Sequence, residues 1–342
     1  LKGQTQLVRT NSANHSGTSF VTGGTGFVGA SVVRALLERG DRVIALARAG
    51  AAMDNLQGLD VEVRTGDLTD SESIVRAMEG ADEVYHVGAA YTFWSPRPEE
   101  MYAANISGTK NVMEAALRHG VSRVVYTSTV GAIGLAWQPK PCDETTPMDP
   151  GQLTSHYKRS KFEAELAALS YVARGLPLVV VNPAAPVGPY DIKPTPTGQM
   201  IVDFLQGRTP AYVDTGLNIV HVRDVAMGHL LAAEKGRIGE RYILGHRNMT
   251  LQEIFATLAR ITGRRAPRVK IPYTVALAAG TVSTWVADHI THRPPAVPVE
   301  AVRMAKRHMF FSANKAIREL GLPQTPAEIA LEDAVKYFRS RS

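Results

Sequence analysis

The chain has 342 residues, 44% hydrophobic and 20% charged, with a formal net charge of +6. That balance provides for one large core or a large and a small one, and the length prior is about two domains. A single cysteine, Cys142, excludes an internal disulfide framework, fits a reducing, cytoplasmic compartment and has no partner at metal-ligand spacing.

The basic excess reads as spread along the chain, its densest points being Arg264-Arg265 and Lys306-Arg307-His308. Nucleic-acid binding would want a denser stripe interleaved with aromatics. No apolar run reaches the ~18–20 residues of a membrane span. The nearest, residues 273–287, is shorter and contains Gly280, Thr281, Ser283 and Thr284; it argues against stable insertion and leaves a monotopic contact open. Residues 1–17 are polar, show no secretory apolar region, and read as a disordered lead-in outside the fold.

From residue 18 onwards short apolar runs alternate with amphipathic ones. Residues 19–22 read as a strand, 23–29 as a glycine-rich loop, and 30–39 as a helix stopped by Gly40. Strands are predicted over 42–47, 61–65 and 83–87, with a short helix over 71–78 capped by Asp70 or Ser71. A long helix over 99–119 ends at Gly120. A strand over 123–128, a helix over 155–174 ending at Gly175, and a strand over 178–182 follow. Strands separated by helices at this rhythm mean βαβ units and a parallel sheet. The runs from Arg123 and Leu176 are apolar without alternation, as in strands covered on both faces. Then Pro183, Pro186, Pro189, Pro194 and Pro196 crowd together, which reads as a long loop.

The first loop carries G-x-x-G-x-x-G at Gly23, Gly26 and Gly29, with Thr25, Phe27 and Val28 between them. Placed between a strand and a helix, Gly23 makes the tight turn, Gly26 lets backbone approach a pyrophosphate, and Gly29 lets the helix pack on the strand. The helix N-terminus offers free N–H groups and partial positive charge to the diphosphate. The second strand ends Ala45-Leu46-Ala47-Arg48, without the carboxylate that binds a ribose 2′-hydroxyl. Arg48 matches a 2′-phosphate instead, so NADP(H) is favoured and NAD(H) stays possible. Asp67 and Leu68 follow the third strand, where Asp67 can accept from the adenine amino group or cap the next helix. The expected fold is α/β: a Rossmann doubly wound parallel sheet with helices on both faces and a smaller C-terminal substrate domain. Residues 18–182 form the dinucleotide-binding part and 183–342 the mainly substrate-binding part.

Tyr157 and Lys161 form Y-x-x-x-K on one helix face, one turn apart. A free tyrosine has a pKa near ~10; a neighbouring ammonium and an oxidised nicotinamide would favour the phenolate, so that Tyr157 can exchange a proton while hydride moves. The fifth strand ends Thr127-Ser128-Thr129, hydroxyls at the edge where a parallel sheet binds ligands.

Together the glycine loop, residues 84–90, Asn105-Ile106-Ser107-Gly108-Thr109, residues 126–134 and Y-x-x-x-K resemble the extended short-chain dehydrogenase/reductases, from Ser19 to about Phe338. Arg48 sits as in the dihydroflavonol reductases, while residues 181–205, 211–232 and 303–316 are most similar to the bacterial hopanoid-associated sugar epimerases. The resemblance implies a catalytic Thr129, Tyr157 and Lys161. It places Gly88, Ala89, Ala90 and Thr127 along the dinucleotide, and Asn182, Pro183 and Ala184 at the nicotinamide. His221 and Asp224 would anchor the second domain. Leu217 stands where nucleotide-sugar epimerases carry an Arg for the substrate diphosphate, and an aliphatic side chain cannot hold one. Arg303 or Arg307 would have to compensate.

Tyr91, Phe93 and Trp94 follow the fourth strand and suit an apolar or planar substrate wall. With Asn182 and Lys193 they form the expected substrate set, and Tyr190, Asp191, Met200 and Phe204 would close the other side. The leading expectation is an NAD(P)-dependent oxidoreductase interconverting a secondary alcohol and a ketone on a small-molecule substrate. An epimerase and a non-catalytic NADP-binding sensor are the alternatives. The family resemblance also implies a homodimer through a four-helix bundle of helices 99–119 and 155–174.

Overall fold

The computed structural model describes residues 17–135 and 140–341, so the expected lead-in lies outside the described residues except for Gly17. The first half runs β1 (Thr18–Thr22), α1 (Phe27–Arg39), β2 (Arg42–Ala47), β3 (Glu62–Thr65), α2 (Ser71–Met78), β4 (Glu83–His86), α3 (Pro98–Tyr102), α4 (Gly108–His119), β5 (Arg123–Thr127), α5 (His156–Ser170) and β6 (Leu178–Pro183). The second half adds β7 (Ala185–Val187), α6 (Pro196–Leu205), β8 (Ala211–Val213), β9 (Gly216–His221), α7 (Val222–Lys235), β10 (Arg241–Leu244), β11 (Arg247–Thr250), α8 (Leu251–Thr262), β12 (Val269–Ile271), α9 (Tyr273–Val286), α10 (Val299–Met304), α11 (Asn314–Leu320) and α12 (Ala327–Arg339).

The central sheet is parallel, in the order β10-β6-β5-β4-β1-β2-β3. Successive strand residues point to opposite faces, and both faces are apolar. Val21, Val43, Val125 and Val179 pack against the side that includes Val33 of α1 and Leu230 of α7. Phe20, Ile44, Val84, Val124 and Val180 pack with Ile74 of α2, Val112 of α4 and Ala164 of α5. Each such side chain contributes about 1.5–3 kcal/mol by leaving water. β1 lies between β2 and β4, so successive connections leave it in opposite directions. A crevice opens at that switch point, beyond the carboxyl ends of the strands.

Three expectations are corrected. The helix predicted over 99–119 is α3 and α4 joined by a π-helical turn, Ala103–Ser107. That wider turn carries the buried Asn105, whose side chain accepts from Ala90 N (2.7 Å) and donates to Ala90 O (3.1 Å) and Ser160 Oγ (2.9 Å). The proline-rich stretch is not one long loop. It contains β7 and the start of α6, where Pro196 occupies a first-turn position that needs no N–H and Thr195 caps the helix.

Nor does the chain leave the sheet for good at residue 183. α7 packs on α1, and β10 pairs with β6, covering an edge that would otherwise expose unpaired backbone. The remaining elements form two small sheets, β11-β9-β7 and β12-β8, and a core of Val187, Ile201, Phe204, Leu258 and Leu331. Asp224 ties this part to α7 by accepting from Thr325 N (2.7 Å) and Oγ1 (2.8 Å).

Candidate active site

The glycine loop is a cradle with no room for side chains. Gly23 has φ +71°, and a Cβ there would lie 2.6 Å from Gly88 Cα; a Cβ on Gly29 would meet Gly23 O at 2.0 Å. The first turn of α1 has no side-chain cap, so its N–H groups remain for a ligand. Thr25 O accepts from Asn55 (3.1 Å), which also donates to Tyr190 O (3.1 Å). Behind the loop, Gly88 N donates to Thr22 Oγ1 (3.0 Å), which bonds His86 Nδ1 (2.7 Å), and His86 Nε2 bonds Thr109 Oγ1 (3.0 Å). Complete burial pushes His86 down to about 3, so it stays neutral and serves as a strut. The sequence placed it only within the resemblance segment 84–90 and gave it no role.

A cavity of about 380 Å³ lies beyond the strand ends. Phe27, Val28, Ala89, Pro183 and Ala184 line one side, and Thr127, Ser128, Thr129, Tyr157 and Lys161 line its polar end. Ser155 caps α5 by accepting from Lys158 N (3.1 Å), which fixes the start of the helix bearing Tyr157 and Lys161. Thr129 Oγ1 accepts from Gly131 N (3.1 Å), and its hydroxyl acts on the Tyr157 phenol, lowering the phenol's pKa. Ser128 Oγ is buried and makes no hydrogen bond among the described residues.

Lys161 Nζ donates to Thr127 O (2.7 Å) and Tyr126 OH (2.9 Å). Burial lowers it to about 7, against the attraction of Glu165. Burial, opposed by the Thr129 hydroxyl, pushes the Tyr157 phenol up to about 12. At neutral pH the pair is a neutral phenol beside a half-titrated amine.

The substrate set divides. Tyr91 and Phe93 line the cavity, the Tyr91 ring 4.4 Å from that of Tyr157. Trp94 does not, because its indole donates to Asp288 Oδ1 (2.7 Å). Asn182 is fully buried; its amide donates to Thr129 O (3.0 Å) and Glu165 Oε2 (2.8 Å), holding the backbone behind the site. Lys193 lines a second cavity, of about 760 Å³, with Arg48, Asp67 and Arg76. The Asp67 carboxylate accepts from Thr69 N (2.8 Å) and Oγ1 (2.7 Å), and these bonds lower its pKa. Leu68 packs against Gly108, and Ala90 is taken up by Asn105. Asp191 is buried and accepts twice from Thr195 N, fastening the turn before α6. Phe204 lies in the C-terminal core, Tyr190 stacks under Arg34, and Met200 reaches the cavity.

Sequence reasoning reached only Met200 and Leu217 of the far wall. Leu217, Leu251, Met304, Ala305 and Met309 converge there from four separated segments. Lys158 also lines the cavity; its Nζ donates to Gln152 O (3.2 Å), and burial and Arg307 lower it to about 8. Its position inside Y-x-x-x-K was the one available signal. Arg307 reaches Leu135 O (3.0 Å).

Comparison with known proteins agrees with this geometry. Residues 19–245 match the model of the NAD dependent epimerase/dehydratase family. The chain is 45% identical to a dihydroflavonol 4-reductase-like protein of Synechocystis, covering 94% of each. It is 37% identical to sterol demethylase protein B of Methylococcus capsulatus, covering 95% of this chain and 99% of the relative. The solved structure of gox2253 superposes with a TM-score of 0.86 at 45% identity, covering 96% of this chain and 99% of that one. The chain therefore belongs to the NAD dependent epimerase/dehydratase family, the extended short-chain dehydrogenase/reductases, and is an enzyme of its oxidoreductase or epimerase type.

Proposed function

We propose that the enzyme is an NADP(H)-dependent reductase of a ketone on a bulky, apolar substrate. The observation that carries this reading is the cavity's division into a short polar end at Tyr157 and Thr129 and an aliphatic far wall of Met200, Leu217, Leu251, Met304 and Met309. Leu217 lies in that wall, where a nucleotide sugar would need a cation for its diphosphate. A sterol-named relative is in keeping with an apolar substrate.

The glycine cradle and the open turn of α1 fit a dinucleotide diphosphate, and the cofactor, when bound, supplies hydride. Tyr157, protonated at neutral pH, donates its proton to the carbonyl oxygen. Thr129 holds the phenol and the substrate oxygen in register, and Lys161 would hold the ribose of a bound cofactor. Tyr91 and Phe93 press the apolar body of the substrate toward the reacting atoms and exclude water.

Arg48, Arg76 and Lys193 around the second cavity support NADP(H). Lys193 is thus reassigned from substrate to cofactor. Titration of nicotinamide fluorescence with Arg48→Ala should weaken NADPH binding about 10–100-fold, the worth of one or two charge-assisted hydrogen bonds, and leave NADH binding nearly unchanged. Equal NADPH affinity in the variant would remove Arg48 from the site. In turnover, NADPH should be consumed with bulky apolar ketones and spared with nucleotide sugars; the reverse would restore the epimerase reading.

The same reading includes a homodimer through α4 and α5, supported by Leu166 standing 54% exposed on α5. Sedimentation at micromolar concentration should give a dimer that Leu166→Glu dissociates. A wild-type monomer would refute it.

A further inference from the structure

The chain's positive charge is not spread evenly. Residues 264–307 contain eight Arg and Lys against two Asp and Glu, so this segment holds the whole net +6 and the remaining 30 cations and 30 anions cancel. Arg264, Arg265, Arg268 and Arg293 are exposed and form no ion pair among the described residues. Between these cations runs α9, the segment noted from the sequence as too short to span a bilayer.

α9 is apolar on both sides. Ala276 and Gly280 face inward with Ala287 of the π turn that follows, while Val275 (56% exposed), Val282 (64%) and Trp285 (54%) stand on the opposite side. Ile290, just beyond, is exposed as well. Inward, α9 seats on α10 so closely that a Cβ on Gly280 would lie 3.1 Å from Val302. α10 in turn supplies Ala301 and Met304 to the cavity. The Trp94–Asp288 bond ties the Tyr91–Phe93 loop to the same roof. Among the described residues no helix can cross a membrane; at 1.5 Å per residue α9 spans about 21 Å, short of the ~30 Å hydrocarbon core.

We propose that α9 is a monotopic docking face for anionic lipid bilayers. It lies in the interface plane with Val275, Val282 and Trp285 among the acyl chains, and the cations at its two ends rest on acidic headgroups. An apolar face with a Trp, bracketed by Arg and Lys, has the make-up of such helices, and indole sits stably at the headgroup level. A protein partner would be met by a mixed polar rim, whereas here the flanks carry Arg264, Arg265, Arg268 and Arg293 against the segment's lone exposed carboxylate, Asp288. The docked roof would bring the cavity's apolar wall to the lipid, so that a substrate dissolved in the bilayer enters beneath α10. This last step rests on the reductase reading; the docking does not.

The test is co-sedimentation of the full chain, without substrate, with phosphatidylcholine vesicles and with mixed phosphatidylcholine–phosphatidylglycerol vesicles. Sedimentation with the anionic vesicles should exceed that with the neutral ones about tenfold and fall as salt is raised. The double variant Val282→Ser, Trp285→Ser should lose at least about tenfold of this binding while oxidising NADPH with a water-soluble ketone at the wild-type rate. Arg268→Glu with Arg293→Glu should lose the preference for anionic lipid. No binding to anionic vesicles, or full binding by the Val282/Trp285 variant, overturns the proposal. So does ultracentrifugation showing that this variant dissociates a dimer, which would make the face a subunit contact. Failure of NADPH turnover in the wild type would instead count against the reductase reading.

Discussion

Tyr157→Phe is expected to lower kcat about 10²–10⁴-fold, the range for removing a positioned general acid, with NADPH affinity nearly unchanged. The phenol is the only polar group of the Tyr157 side chain, and the ring keeps its contact with Tyr91 at 4.4 Å, so the variant deletes the proton donor and little else. The pH profile separates its role from that of Lys161. Burial has moved Lys161 from its ordinary value of 10.5 down to about 7, so the ammonium is present below that pH and lost as pH rises through it. The phenol at about 12 stays protonated throughout. If the ammonium is required, kcat/KM of the free enzyme falls about tenfold per unit above pH 7. Lys161→Met should lower activity and flatten that limb. Wild-type activity in Tyr157→Phe would remove the phenol from the proton-donor role, whereas no NADPH turnover by the wild type would point to the non-catalytic reading.

Glu165→Ala should destabilise the fold by about 3 kcal/mol, because removing one partner of a buried pair leaves the other uncompensated. Glu165 is 1% exposed; it accepts from Arg241 Nη1 at 3.0 Å and from Asn182 at 2.8 Å, joining α5 to β10 and β6. A lowering of Tm by roughly 5 °C or more is expected in calorimetry. The carboxylate also raises the Lys161 pKa, so the alkaline limb of the rate profile should begin at lower pH. Glu165→Gln, which keeps the volume, should share that shift with a smaller loss of Tm. A stable Ala variant with an unmoved profile would show that Glu165 supports neither the fold nor the amine.

The first 182 residues were legible because the chemistry there is local. The glycine loop lies within seven residues, Tyr157 and Lys161 within one helical turn, and each strand declares itself by apolar runs between helix signals. Asp70 proved the helix cap, accepting from Glu72 and Ser73. The rest of the far cavity wall was hidden because Leu251, Met304 and Met309 share no period and meet only through tertiary packing. Asn182 and Lys193 were misplaced for the opposite reason: each neighbours a motif in sequence, but β6 turns Asn182 inward to Glu165, and the turn after Tyr190 carries Lys193 to Arg48. Charge was legible and misread, since an average over the chain hid a segment that holds all of its excess.

The strand that returns late, β10, has a consequence for how the protein is made. β6 is complete at Pro183, and its partner begins only at Arg241. At ~5–20 residues per second a ribosome needs about 3–12 s to synthesise that interval. During it the nascent Rossmann half presents Leu178–Pro183, an entirely buried row in the finished enzyme, as a bare sheet edge. The same interval encodes α7, which must also close over α1. The Rossmann half therefore cannot finish its sheet until about 58 residues beyond β6 have been added.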